Sequence, residues 1–511
     1  MSGVASVQPP FATIAELIRT HARQRPRQRA LVQDGRLLDY AALDALMDRV
    51  ACALARDGVR AGEAIAICAA TSLENAAVFL GALRAGVTVA PLAPSATAAS
   101  IAAMAADADA RILFVDAPVA AAVRTDIRFV TLDDGAAGTP LSQWLAPEGS
   151  RPHDVPIAPQ AAFNIIYSSG TTGQPKGIVQ SHAMRWAHVQ RAVAFGYGPE
   201  AITLLATPLY SNTTLVSFLP TLALGGTAIL MAKFDVLAYL ELAQRERVTH
   251  TMLVPVQYQR IMAAPEFGRY DLSSFRMKQC TSAPFAAALK ADVLARWPGA
   301  LVEIYGMTEG GGTCLLPAHE FPHKLHTVGR PAPGHDVRVI DDAGRELPPG
   351  AAGEIVGHSP AMMIGYHKRP EQTRAAEWFD ATGKRFIRTG DIGRFDEDGF
   401  LVLLDRKKDL IISGGFNVYP SDLEAVLAAH PAVAEVAVVG VASERWGETP
   451  VAFVTPKPAA TVDPEALLAW ANARLGKTQR LAALRVIDQL PRSAIGKVLK
   501  RELRQRFERG L

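Results

Sequence analysis

The chain has 511 residues, of which 49% are apolar and 20% charged, with a formal net charge of +3. That length exceeds what one hydrophobic core serves, so two or more domains are expected. The apolar content excludes a disordered chain, and so small a net charge gives no support to a nucleic-acid-binding surface.

Reading from the N-terminus, the opening residues Met1 to Pro10 lack the basic-then-apolar layout of a signal peptide. Ile14, Leu17, Ile18 and Ala22 recur on one face of a helix expected over Phe11–Arg25. Asp34-Gly35 between Leu31-Val32-Gln33 and Leu37-Leu38-Asp39-Tyr40 predicts a hairpin. A helix from Ala41 to Arg56 leads into strand Ala64–Cys68, and further strands are expected at Val87–Ala90 and Arg111–Val115. This alternation predicts largely parallel α/β layering. The alanine-rich run 99–122 is broken by Asp107, Asp109, Arg111 and Asp116, and no apolar segment of ~20 residues occurs, so no integral membrane segment is expected. The four cysteines (Cys52, Cys68, Cys280 and Cys314) have no metal-ligand spacing and read as buried thiols of a cytoplasmic protein.

After the apolar run Phe163-Asn164-Ile165-Ile166 comes Tyr167-Ser168-Ser169-Gly170-Thr171-Thr172-Gly173-Gln174-Pro175-Lys176-Gly177. A strand breaking into such a loop suits a polyphosphate. Glycines allow positive φ and close approach, hydroxyls and backbone N–H groups surround an anion, and Lys176 adds a point charge. The spacing fits neither Gly-x4-Gly-Lys-Ser/Thr nor Gly-x-Gly-x-x-Gly. A solvated Ser/Gly linker is the plain alternative.

Beyond residue 405 the character changes. Short strands at Glu435–Val441, Val451–Thr455 and Leu484–Ile487 alternate with helices, and Ser421-Asp422-Leu423-Glu424 predicts a capping box with Leu423, Val426 and Leu427 facing inward. The last ~100 residues are expected to form a small α+β unit.

The loop at 167–177 resembles that of the adenylate-forming superfamily, which holds acyl-CoA synthetases, adenylation domains and luciferases. Four further segments carry the resemblance in order: Ile304-Tyr305-Gly306-Met307-Thr308-Glu309, Arg388-Thr389-Gly390-Asp391, Asp405-Arg406-Lys407-Lys408-Asp409 and Pro491-Arg492-Ser493-Ala494-Ile495-Gly496-Lys497. The resemblance implies a large N-terminal domain of layered sheets and helices (1–407) and a smaller, mobile α+β C-terminal domain (408–511). It also implies ATP, Mg²⁺ and coenzyme A as cofactors.

Residue by residue, Ser168, Ser169, Gly170, Thr171, Thr172, Gly173 and Lys176 would bind phosphates. Tyr305, beside Gly306, would stack on adenine, and Ser282-Ala283-Pro284 would form a small-residue turn against it. Thr308 and Glu309 would act in catalysis, Glu309 also holding the metal. Asp391 and Arg406 would reach the ribose, and Lys408 would be the hinge. Lys497 would enter during adenylation to contact carboxylate and α-phosphate. Gly414, Gly415 and Asn417 would border the pantetheine channel. Taken alone, Tyr305 reads as core, Glu309 as a helix start, Asp391 as a turn residue and the 406–409 run as a solvated charge cluster.

Tyr210 and Ser211 resemble an acyl-site element whose usual histidine is replaced here by Ser211. Gly310, Gly311 and Gly312 imply extra room or a flexible wall, and Met252, Val254, Val256 and Tyr258 either line an apolar cavity or pack in the core. No arginine for a second carboxylate is evident, so an uncharged pocket and a monocarboxylic acid, fatty or hydroxycinnamate-like, are expected. The function implied is an acid:CoA ligase. The alternatives are an adenylation enzyme serving a carrier protein and a non-catalytic acyl- or nucleotide-binding relative.

Overall fold

In a computed structural model of the chain, residues 10–168, 176–413, 416–458, 460–476, 479–492 and 497–510 are described. They divide into two compact units. The first comprises Met1–Leu325, Ala332–Asp336 and His358–Ile387, the second His326–Pro331, Val337–Gly357 and Arg388–Leu511. This packing boundary falls upstream of the 407/408 division. The reason is local: strands Arg385–Phe395 and Leu401–Arg406 pair antiparallel, and the first of them also neighbours Gly353–His358.

Two sheets organise the first unit. One runs, neighbour to neighbour, through Cys314–Pro317, Ala300–Tyr305, Met277–Cys280, His250–Leu253, Ile202–Leu205, Thr227–Leu230, Arg29–Gln33 and Arg36–Asp39. The other runs through Gly365–Tyr366, Lys176–Ser181, Ala162–Ser168, Thr88–Pro91, Ala64–Cys68, Ala110–Val115, Arg128–Thr131 and Thr139–Pro140. The inner strands pair parallel, as the alternation of elements predicts, and read as apolar runs because both faces are covered. One core joins the two sheets: Leu31, Leu205 and Leu230 from the first and Ile65, Val89 and Phe163 from the second cluster with Met47, Phe79 and Phe218 of the intervening helices.

Local chemistry sets the ends of these elements. Thr13 and Glu16 form a reciprocal capping box on helix Ile14–Gln24, whose Ile14 and Ile18 are buried. Asp34 and Gly35 both take positive φ, 48° and 78°, the conformation a two-residue hairpin turn demands. Helices Ile14–Gln24, Tyr40–Arg56 and Leu73–Arg84 meet around a buried ionic cluster. Asp48 accepts hydrogen bonds from Arg19, from Arg84 at 2.8 Å and from Arg151 at 2.6 Å, while Asp44 takes the other arm of Arg84 at 2.6 Å.

In the second unit, strands Asp336–Ile340, Gly353–His358 and Arg385–Phe395 are neighbours in that order, with Leu401–Arg406 on the last. A further sheet follows the order Phe416–Val418, Ile411–Ser413, Gly447–Pro456, Val433–Ser443, with Ala483–Val486 also on Gly447–Pro456. The expected capping box at Ser421 is not there. The helix runs Pro420–Ala428 and begins on Pro420, so Ser421 already lies inside its first turn. Ser421 instead donates its hydroxyl to the Leu404 carbonyl and its N–H to Asp405, and Glu424 accepts from the Val438 N–H at 2.8 Å. Leu423 and Leu427 face inward as expected.

Candidate active site

Strands Ala162–Ser168 and Lys176–Ser181 are antiparallel, with Ser168 opposite Lys176. Ser169, Gly170, Thr171, Thr172 and Gly173 lie outside the described residues. The Lys176 ammonium sits 5.2 Å over the ring of Tyr366, whose hydroxyl donates to Glu309 Oε1 at 2.9 Å. Burial, then the adjacent Glu309 carboxylate, push the Tyr366 hydroxyl up, so it stays protonated and donates. Lys176 and Glu309, 133 positions apart by number (309 − 176), are thus joined through one tyrosine. Sequence reasoning missed Tyr366. Its only signal is a lone tyrosine on a two-residue strand, Gly365–Tyr366.

Thr308 and Glu309 follow strand Ala300–Tyr305, which ends on Tyr305. The Thr308 carbonyl accepts from Gln180 Nε2 at 2.7 Å, and the Glu309 carbonyl accepts from the Met363 N–H at 2.8 Å. Gln180 belongs to a buried network: its Oε1 and the Asn164 Oδ1 both accept from Arg185, at 2.9 Å for the Asn164 contact. Burial lowers Arg185 to about 9, which leaves it charged at neutral pH. That guanidinium also lies 5.6 Å from the Phe163 ring.

The glycine run has a structural cause at Gly310. Its φ is +77°, and a Cβ there would lie 1.8 Å from the Ala361 carbonyl oxygen, so Gly310 lets two backbone segments approach closely. Gly311 also has positive φ, and Gly311 and Gly312 are buried. Ser282 stands in the left-handed region at φ 83°, and its hydroxyl meets Thr213 Oγ1 at 2.5 Å. That backbone costs about 1–3 kcal/mol for a residue with a side chain. Ala283 is half-buried, while Pro284 and Gly306 are exposed.

Ser211 caps helix Asn212–Ala223, its Oγ accepting from the Thr213 N–H, and is buried. Tyr210 is half-buried beside Ser95. Neither lines the narrow cavity at the end of strand His250–Leu253. Apolar walls there come from Phe195, Val216, Met252 and Ile304, and polar groups from His188, Arg191, Tyr197 and Gln279. Of the four residues expected on an apolar cavity, only Met252 lines this one; Val254 and Tyr258 are core. Arg191 makes this cavity basic at one side. Its signal was present: Arg185, His188 and Arg191 recur every three residues on helix His182–Val193, a face that reads as solvated until the fold covers it.

In the second unit, Asp391 and Arg406 are cross-strand partners joined by an ion pair at 2.7 Å. Gly390 before Asp391 takes φ 68°, and the Asp391 N–H donates to Thr389 Oγ1 at 3.0 Å. Lys408 is exposed in the turn Lys407–Asp409. Its neighbours are held: Lys407 by Asp342 and Glu354, Asp409 by Arg504 at 2.9 Å. Lys497 is exposed. Gly414 and Gly415 lie outside the described residues, as do the side chains of Ser168 and Asn417.

A hairpin on this pair of sheets, its lysine joined through one tyrosine to a downstream glutamate, belongs to an adenylate-forming enzyme. Residues 18–367 match the AMP-binding enzyme family and residues 422–497 the AMP-binding enzyme C-terminal domain, and the chain belongs to that family. It is 34% identical over 492 residues to a feruloyl-CoA synthase of an Amycolatopsis species, covering 95% of this chain and 97% of that protein. It is 32% identical over 512 residues to the fatty acid–[acyl-carrier-protein] ligase ScoC of Streptomyces coeruleorubidus, covering 98% and 97%. Among solved structures, ATP-bound MatB from Rhodopseudomonas palustris superposes with a TM-score of 0.84 at 31% identity, over 97% of this chain and 99% of that one.

Proposed function

We propose that this chain is an ATP-dependent acid:CoA ligase. The carboxylate attacks the α-phosphate of ATP, pyrophosphate leaves, and the CoA thiol then displaces AMP from the acyl-adenylate. The observation that carries this reading is the Lys176–Tyr366–Glu309 cluster beside the phosphate-loop hairpin. Little covalent chemistry falls to the protein, so positioning and charge neutralisation dominate.

In this reading residues 168–173 and Lys176 cradle the phosphates, and Tyr305 and the 282–284 turn hold adenine. Asp391 and Arg406 grip the ribose hydroxyls, and Thr308 orients the reacting phosphate. Lys497 neutralises the carboxylate and α-phosphate during the first half-reaction. Residues 408–511 turn about Lys408 for the second, when Gly414, Gly415 and Asn417 border the thiol arm. Tyr210, Ser211 and Gly310–Gly312 flank the acyl chain. Among the described residues no group of three or more metal-ligating side chains occurs. A single carboxylate, Glu309, fits Mg²⁺, which commonly takes one or two carboxylates plus phosphate oxygens and waters. Bound there, the ion would supply charge neutralisation to the phosphates.

The fatty acid–[acyl-carrier-protein] ligase among the relatives supports a second reading, in which a carrier-protein thiol replaces CoA. A panel of carboxylic acids with ATP, Mg²⁺ and either CoA or a holo-carrier protein tests both. AMP and thioester released with CoA support the ligase. Turnover with the carrier alone overturns it in favour of the second reading.

A further inference from the structure

Gln180 lies on strand Lys176–Ser181, directly opposite Asn164 of strand Ala162–Ser168, and both side chains are fully buried. It makes all four hydrogen bonds open to an amide. Its Oε1 accepts from Asn164 Nδ2 at 3.1 Å and from Arg185. Its Nε2 donates to the Thr308 carbonyl at 2.7 Å and to Asn212 Oδ1 at 3.4 Å. Asn164 in turn presents Oδ1 to Arg185, which donates from Nε at 3.1 Å and from Nη2 at 2.9 Å.

The two ends of this network leave the Gln180 amide one orientation. A guanidinium has donors and no acceptor, so the oxygens of Asn164 and Gln180 must both face Arg185. The Thr308 carbonyl has no donor, so it must meet the amide nitrogen. Arg185 is a costly way to hold two amides. It stands in the first turn of helix His182–Val193, where positive charge opposes the helix dipole. It is 1% exposed, its Nη1 meets no hydrogen-bond partner, and burial alone shifts its pKa, with no carboxylate contributing. A hydrocarbon of similar size would serve a core better than a buried cation without counter-charge. What the guanidinium adds is direction, because it forbids the flipped amide that would set an oxygen against the Thr308 carbonyl.

That carbonyl belongs to the peptide between Thr308 and Glu309, and a peptide is a rigid plane. Its orientation therefore governs where both side chains emerge. The far side of Glu309 is held independently, its carbonyl by the Met363 N–H and its carboxylate by Tyr366.

We propose that Gln180 is a positioning residue for adenylation: locked by Arg185 and Asn164, it fixes the Thr308–Glu309 peptide in register with the strand that carries Lys176. Through Asn212 it also ties down the start of helix Asn212–Ala223. This rests on the ligase reading and adds to it a buried residue that acts through Thr308 and Glu309.

The test is Gln180→Glu, with Gln180→Met beside it, followed by ATP–pyrophosphate exchange, urea unfolding and calorimetric titration of ATP with and without Mg²⁺. Glutamate keeps the shape and gives Arg185 a counter-charge, but turns an oxygen toward the Thr308 carbonyl. Methionine removes the donor without adding charge. The kcat of exchange is expected to fall about 100-fold in Gln180→Glu and about tenfold in Gln180→Met, the scale on which misplacing a reacting group slows a reaction. The urea midpoint of Gln180→Glu should stay at or above that of the wild type, and its ATP affinity should gain less from Mg²⁺. Exchange by Gln180→Met within about threefold of the wild type, under 1 kcal/mol of barrier, overturns the inference and leaves the ligase reading standing. An equal gain from Mg²⁺ in wild type and Gln180→Glu does the same, as does unfolding of both variants, which makes the network a requirement of the fold alone. A wild-type chain that exchanges pyrophosphate with none of the carboxylic acids overturns the ligase reading and the inference together.

Discussion

The two units handle positive charge in opposite ways. In the first, Arg84, Arg185, Lys278 and Lys290 are buried. Arg84 is held by Asp44 and Asp48, Arg185 by two amide oxygens, Lys278 by three backbone carbonyls, and Lys290 by Glu303. In the second, Lys408 and Lys497 are exposed, and Arg406 keeps 48% of its side chain exposed while paired with Asp391. Dry, fixed charge shapes a core or a cavity because its partners cannot be exchanged without loss. Solvated charge contributes little to stability, about 0–1 kcal/mol per pair, so a residue that engages and releases a phosphate within one turnover exchanges partners cheaply.

The contrast breaks most sharply at Asp48. Asp48→Asn leaves Arg84 buried with half its counter-charge, and a loss of roughly 3–5 kcal/mol is expected; urea unfolding of the variant measures it, and a loss below about 1 kcal/mol would show the cluster to be dispensable. At the exposed extreme, Lys497→Ala should leave unfolding unchanged yet slow adenylation. An ammonium ~4 Å from a phosphate is worth about 4 kcal/mol at an effective dielectric near 20, roughly a thousandfold in rate if realised in the transition state. Pyrophosphate exchange should fall accordingly, while thioester formation from supplied acyl-adenylate persists. Exchange at the wild-type rate refutes the assignment.

pH sharpens the comparison. Burial holds His182, His250 and His335, all in the first unit, at about 4 in the folded chain, against an unfolded value of about 6.5. Between those values the unfolded chain binds more protons, so stability is complete above pH ~6.5 and is lost as pH falls toward 4. From pH 6.5 to 5 each histidine removes at most about 2 kcal/mol, visible as a lower urea midpoint. A midpoint that does not move refutes the buried-neutral state. The smallest effect belongs to the second unit: Arg406→Ala should cost less than ~1 kcal/mol of stability while raising the KM for ATP. A KM unchanged by that substitution removes Arg406 from the nucleotide site.

Most elements of the fold were legible locally. The strand at Ala64–Cys68 falls where its apolar run predicts, and the Asp34-Gly35 turn forms because those residues tolerate positive φ. Ser421 misled because the pattern Ser-x-x-Glu says nothing about Pro420 in front of it, which starts the helix a residue earlier. Lys176 and Glu309 were nameable from their motifs, whereas Tyr366 between them was not, since nothing in a two-residue strand announces a hydrogen bond to a residue 57 positions away.

What the sequence determined by itself is what depends on near neighbours: strand and helix identity through periodicity, turns through glycine and aspartate, and the ordered motifs that mark an adenylate-forming chain. The tertiary structure alone decided which polar residues are dry. Arg185 and His188 lie on a face indistinguishable from a solvated one until the fold buries it, Arg185 against Asn164 and Gln180 of strands Ala162–Ser168 and Lys176–Ser181. Desolvation is a property of what covers a residue, and what covers it comes from far along the chain.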